Sequence, residues 1–216
     1  MSEFSYLTSH WDQVVHLTWE HLRLSVLAIV IAFPIAVVIG TVAAVVRPLT
    51  FPILAILGFV YTIPSLALLA FLIPSQGLGT RPALIMLVLY AQVFLVRNIV
   101  AGLRGVDAAT LEAATGLGMS AWQRYVRVWV PLASPVIVAG MRTALVAVIG
   151  LTTIAGWINA GGLGELLFVG IGRNYPAMVF AGVIAIVALA IAADLVMRVV
   201  ETLSPVARSQ RARRAG

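Results

Sequence analysis

The chain has 216 residues, of which 62% are hydrophobic and only 10% charged. Soluble domains are about half apolar and about a quarter charged, so this composition excludes an ordinary water-soluble fold and points to one membrane domain. The absence of cysteine rules out disulfides and thiolate metal sites, and the net charge of +6 rests on 14 arginines set between apolar runs, a pattern of membrane topology rather than of nucleic-acid binding.

The first 20 residues hold no Lys or Arg, and the apolar run after them is too long for a signal-peptide core, so no cleavable leader is expected. In this segment and just after it, Phe4, Leu7, Trp11, Val14, Val15, Thr18 and Leu22 recur at helical spacing. Polar residues fill the gaps, which predicts an external amphipathic helix over residues 1–20 lying in the membrane interface. His10, His16 and His21 lack the i,i+4 spacing of a helical zinc pair and read as solvated or interfacial.

A spanning helix needs about 20 mostly apolar residues. Five stretches qualify, at 24–46, 51–73, 82–103, 128–154 and 177–200. The first carries a small-residue ridge, Ala32, Ala36, Gly40 and Ala44, suited to close helix packing in lipid, and Pro34, which predicts a kink. The fourth has a similar row, Ala139, Thr143 and Ala147. With the N-terminus outside, ten arginines fall in inner segments and three in outer ones, with Arg142 inside the fourth span. The positive-inside rule therefore sets N-out, C-in. The Gly-rich stretch 154–171 is read as an outer or re-entrant loop, because a sixth crossing would export the basic tail. The fold class is thus an all-α integral membrane protein with about five transmembrane helices. Its transmembrane domain covers residues 21–203, and residues 204–216 form a basic cytoplasmic tail read as disordered. Arg208, Arg211, Arg213 and Arg214 in that tail are within reach of anionic membrane lipid.

The inner loop 104–127 is the most informative segment. Asp107 is a good N-cap for a run of helix formers over 108–115, and Gly116 and Gly118 supply a stop. Ser120 and Gln123 have capping-box spacing and start a second helix, which runs through Trp122, Tyr125 and Trp129 into Pro131. A short helix, a glycine elbow and a second helix on the arginine-rich side form a unit suited to docking in another protein's groove.

Glu112-Ala113-Ala114, three residues, Gly118, nine residues, Val128, one residue and Val130-Pro131 together resemble the EAA loop of bacterial ABC importer permeases. Tyr61-Thr-Ile-Pro-Ser, Arg97-Asn98, Gly140-Met-Arg142-Thr-Ala and Gly161-Gly162-Leu163-Gly164-Glu165 extend the resemblance to permeases of glycine betaine/carnitine/choline importers over residues 20–200. Two departures stand out: Tyr61 where that family usually has glutamine, and Trp157-Ile-Asn-Ala in place of a stretch ending Ile-Gly-Ala. The resemblance implies a type I ABC importer permease fold in the bacterial cytoplasmic membrane. It implies a second permease subunit, identical or a paralogue, and two cytosolic ATPase subunits that carry the ATP and Mg. It also implies an external substrate-binding protein, with no cofactor on this chain. Glu112, Ala113 and Ala114, with Asp107 at the helix start and Gly118 at the elbow, would couple the permease to its ATPase. Methionine-type or other amino-acid permeases are the alternative within the family.

For Glu112 a plainer role stands beside coupling, that of a first-turn glutamate favouring the helix dipole. Arg142, deep in the fourth span, must face protein or water. It reads either as a cation on the pathway or as a clamp on backbone carbonyls or an ion pair across the bundle. Asp194 and Arg198 read as an i,i+4 surface pair. Tyr61, Thr62 and Ser65, beside Pro64 in an interrupted span, are candidates for pathway lining, with Trp157 and Asn159. Tyr61, Trp157 and Tyr175 are also candidates for an outer gate, since aromatic faces suit quaternary ammonium groups. Trp19 and Trp129 fit an interfacial belt. A membrane enzyme is disfavoured by the lack of metalloprotease, nucleophile-elbow or Walker A motifs, and a secondary transporter or channel by the lack of an internal repeat.

Overall fold

The computed structural model describes residues 5–203, and the basic tail lies outside the described residues. They form ten α-helices: α1 (Ser5–Ser9), α2 (Trp11–Val45), α3 (Arg47–Thr62), α4 (Ser65–Gln76), α5 (Thr80–Arg104), α6 (Ala108–Gly116), α7 (Ala121–Arg124), α8 (Val130–Ala155), α9 (Gly164–Gly172) and α10 (Pro176–Leu203). A π-helical turn, Tyr125–Trp129, joins α7 to α8, and a 3₁₀ turn, Gly156–Ile158, follows α8. Four continuous helical stretches are long and apolar enough to cross a membrane, and the α3–α4 pair makes up a fifth if the two count as one span.

The small-residue ridge on α2 does what its spacing predicts. Ala28, Ala32, Ala36, Gly40 and Ala44 are all buried, and Ile99 of α5 sits so close to Gly40 that an added methyl would come within 2.6 Å of it. The central helix is α5, wedged between α2 and α8, with Met86, Leu87, Leu95, Val96 and Ile99 in the core. Large apolar side chains elsewhere stay outside, among them Phe51, Phe59 and Phe71 on α3 and α4, as expected of surfaces that meet lipid or another subunit.

Three expectations change. From Trp11 onward the amphipathic segment is not a separate interfacial helix: no proline or glycine lies between Trp11 and Leu24, and α2 runs unbroken to Val45 with Pro34 inside it. At 35 residues it is about 52 Å long, more than the hydrocarbon core of about 30 Å, so one end projects beyond the membrane. On α8 the buried row is Gly140, Ala144 and Val148, rotated by one residue from Ala139, Thr143 and Ala147, and Thr143 is exposed. The stretch 51–73 is not one straight span. Ile63 precedes proline, which disfavours helical backbone, and it takes an extended conformation there, so α3 and α4 meet at 88°. Past the end of α8 at Ala155, the stretch 154–171 holds α9, whose nine residues reach about 14 Å, too short to cross, in keeping with an outer or re-entrant loop.

Candidate functional site

The loop between α5 and α8 is built by local rules. The Asp107 carboxylate accepts from the Ala109 N–H at 3.2 Å and caps α6. At the other end, the Met119 N–H bonds to the Ala114 carbonyl and the Gly118 N–H to that of Thr115, the paired bonds of a Schellman ending. That ending needs a left-handed residue, and Gly118 supplies it at φ 78°. Gly116, also read as part of the stop, stays helical. The Ser120 hydroxyl then accepts from the Gln123 N–H at 3.3 Å while the Gln123 side chain accepts from the Ser120 N–H at 2.9 Å. This is a complete capping box. The Arg124 guanidinium bonds to the Thr115 hydroxyl, tying the second helix back across the elbow.

The elbow is held to the membrane helices by two aromatic residues. The Tyr125 hydroxyl is 2.7 Å from that of Thr41 on α2, and the Trp129 indole N–H donates to the Leu103 carbonyl on α5 at 2.6 Å. Trp129 is therefore a structural tie and not only a belt residue. Ala114 packs inward, whereas Glu112 and Ala113 face outward, as do Leu117 and Trp122, which are 78% and 72% exposed. Glu112 is the fifth residue of α6, not in its first turn, so the helix-dipole account of it fails. The segment is a braced, protruding helix–turn–helix with an apolar and acidic outer face.

The expected pathway residues fall in two groups. Tyr61, at the end of α3, packs edge-on against Tyr90 at 5.6 Å and Phe94 at 5.3 Å, and the Tyr90 hydroxyl donates to the Ile63 carbonyl at the break. Thr62 satisfies its hydroxyl on the Phe59 carbonyl, and Ser65 opens α4 half-buried. Trp157, 49% exposed, and Asn159, in left-handed conformation, lie on the turn after α8. The Gly79 N–H, at the start of α5, donates to the Ile158 carbonyl at 2.8 Å and links the α4–α5 turn to that turn. Among the described residues no ring contact joins Tyr61 to Trp157. Tyr175 packs instead on Tyr6, beside α1.

Arg142 is engaged by carboxylates of α10. Its guanidinium lies 3.1 Å from Glu201 and 3.4 Å from Asp194, and Arg198 also pairs with Asp194 at 2.7 Å. These groups form an interhelical cluster that ties α8 to α10, the ion pair across the bundle that was one of the two readings of Arg142.

The sequence reading missed how the Gly-rich loop is seated. The Glu20 carboxylate accepts from the Gly162 N–H at 3.1 Å, and His21, fully buried rather than solvated, bonds to the Leu163 N–H and the Ile149 carbonyl. Beneath them the Ser25 and Thr152 hydroxyls are 2.9 Å apart. Gly164 allows this seat, since an added methyl would collide with the Thr153 carbonyl oxygen. A cluster of polar residues on one face of an otherwise apolar span, Glu20, His21 and Ser25, was the available signal. No group of three or more His, Asp or Glu side chains converges as a metal site among the described residues.

Comparison with known proteins places this architecture. Residues 17–203 match the family model described as binding-protein-dependent transport system inner membrane component. The chain is 35% identical to the glycine betaine/carnitine/choline transport system permease protein OpuCB of Bacillus subtilis, with 91% of each chain covered. It is 37% identical to the osmoprotectant import permease protein OsmW of Salmonella typhimurium, over 95% of this chain and 98% of that one. Among solved structures it is similar to an inward-facing form of the MetNI methionine ABC transporter, with a TM-score of 0.73, 25% identity, and 93% and 99% of the two chains covered. The chain belongs to the family of inner membrane components of binding-protein-dependent transport systems, the permease subunits of ABC importers.

Proposed function

We propose that the chain forms half of the translocation pathway of an ATP-driven importer for a quaternary-ammonium osmoprotectant such as glycine betaine, choline or carnitine. It pairs with a second permease subunit, and the pair docks two cytosolic ATPase subunits that carry ATP and Mg, one on each coupling loop. An external binding protein delivers the solute, and the N-terminus lies outside the bacterial cytoplasmic membrane. The observation that carries the importer reading is the braced elbow, with Gly118 at φ 78° and Glu112 and Ala113 facing outward. Its rigidity suits transmission of a push from an ATPase cleft, with Asp107, Ala114 and Gly118 shaping the element and Glu112 and Ala113 making contact.

The substrate class is supported by the names of the relatives and by aromatic chemistry at the broken span. A cation lacking N–H donors is recognised by ring faces. Tyr61, with Tyr90 and Phe94 beside it, offers such a surface at the α3–α4 break, where backbone leaves regular helix. Thr62, Ser65, Trp157 and Asn159 complete the proposed lining. Arg142 is assigned to holding α8 on α10.

The test is uptake by proteoliposomes holding the permease, its ATPase and its binding protein. Labelled choline or betaine should enter only with ATP, and unlabelled betaine, choline or carnitine should compete while methionine does not. Competition by methionine alone would move the chain to the amino-acid importers.

A further inference from the structure

Three arginines line one cavity of about 530 Å³ at the root of the coupling loop: Arg47 at the start of α3, and Arg97 and Arg104 on α5. The rest of its lining is Thr50, Phe51, Leu54 and Ala55 of α3, so the cavity combines three cationic side chains with an apolar strip of α3. Arg97 and Arg104 are seven residues apart on one helix face, about 10 Å along the axis. The cavity therefore extends from the membrane surface into the apolar zone.

Among the described residues no acidic group neutralises this positive charge. Arg104 is partly used, donating to the carbonyls of Ala43 and Ala44 and to the Thr50 hydroxyl. Neither Arg47 nor Arg97 has a side-chain hydrogen bond or ion pair among the described residues, and no carboxylate pairs with any of the three. The nearby Asp107 carboxylate is occupied in capping α6. An arginine at membrane depth needs a counter-charge or water, and three in one cavity that also offers an apolar wall fit an anion with a hydrocarbon chain.

We propose that this cavity binds an anionic phospholipid, its phosphate on Arg47, Arg97 and Arg104 and an acyl chain along Phe51, Leu54 and Ala55. The same Arg47 and Arg104 line an adjoining cavity of about 580 Å³ closed by Ala108 and Leu111 of α6. The bound headgroup thus sits against the base of the coupling helix, where its presence steadies that helix. The site is independent of which solute the importer carries.

The permease, purified with its ATPase, would be titrated with phosphatidylglycerol, phosphatidylcholine and inorganic phosphate, with bound species counted by native mass spectrometry. Wild type should hold phosphatidylglycerol in preference to phosphatidylcholine, and excess inorganic phosphate should not displace it. R47Q/R97Q should weaken phosphatidylglycerol about thirtyfold, at roughly fivefold per guanidinium, while R47K/R97K keeps most of the affinity. Ala55→Trp, which fills the apolar wall at an exposed position, should also expel the lipid. Equal binding of the two lipids by wild type overturns the proposal even if a variant fails to assemble. Displacement by phosphate would make the site one for a soluble anion, and weakened binding of the ATPase or of the second permease with unchanged lipid retention would make it a protein contact. Either result also overturns the proposal.

Discussion

The Nδ1 atom of His21 accepts a hydrogen bond from the backbone N–H of Leu163, 142 positions away, at 3.2 Å. Its Nε2 atom stands 2.8 Å from the Ile149 carbonyl, which can only accept. One ring nitrogen must accept and the other donate, so the imidazole is neutral and carries its proton on Nε2. His21 thereby fastens the Gly-rich loop to both α2 and α8.

Replacing His21 with alanine leaves the buried Leu163 N–H without its partner and takes from the Ile149 carbonyl a bond additional to its own helical one. The orphaned N–H costs about 1–3 kcal/mol, concentrated in the loop. Amide hydrogen exchange at Leu163 should accelerate by about tenfold or more, with little change in α5. Unchanged protection at Leu163 would mean that Glu20 and the glycine packing hold the loop unaided.

The ion cluster on α10 makes a second prediction. The side chains of Arg142, Asp194 and Glu201 are 27%, 29% and 31% exposed, so they are neither fully buried nor freely solvated. Arg142→Leu leaves the Glu201 carboxylate without its cation and should destabilise the permease by about 2 kcal/mol, between the surface and buried limits. Adding Asp194→Asn and Glu201→Gln should recover most of that loss. Unfolding in detergent reads both effects, and no recovery in the triple variant would show that Arg142 acts through other partners.

Topology can be checked with single cysteines, because the chain has none of its own. Asn159 and Leu117 are both exposed and lie at opposite ends of α8 and the elbow that precedes it. A cysteine at Asn159 should react with an impermeant reagent in intact cells, whereas one at Leu117 should react only after permeabilisation. The reverse pattern would invert the proposed orientation.

What was legible in the sequence was local. Asp107, Gly118 and the Ser120–Gln123 pair act within a few residues of themselves, so cap and turn chemistry alone located the elbow. The alanine ridge of α2 was legible because its i,i+4 spacing survives as packing. The seating of His21 and the pairing of Arg142 with Glu201 join residues 142 and 59 positions apart, and nothing in either neighbourhood names the partner. On α8 two small-residue rows run side by side, and only the position of Asn98, packed on Gly140, decides which faces inward. Pro64 marked an interruption, but an 88° bend follows from how α4 packs on α5, which is tertiary information.

Two substitutions test from opposite directions whether residues 107–123 couple this permease to an ATPase. Gly118→Val places a β-branched residue at φ 78°, where no contact blocks its side chain but the backbone conformation is strained, so the elbow itself should distort. Glu112→Lys changes an exposed side chain with no ion-pair partner among the described residues, so the elbow should stand and only the docking face should change. The measurement is ATPase capture by each purified variant, followed by substrate-stimulated ATP turnover in proteoliposomes. Both variants should insert and melt close to wild type, yet capture the ATPase at least about tenfold more weakly or hold it without stimulation by substrate. Wild-type capture and turnover in both would show that the segment is an ordinary surface loop and would contradict the account.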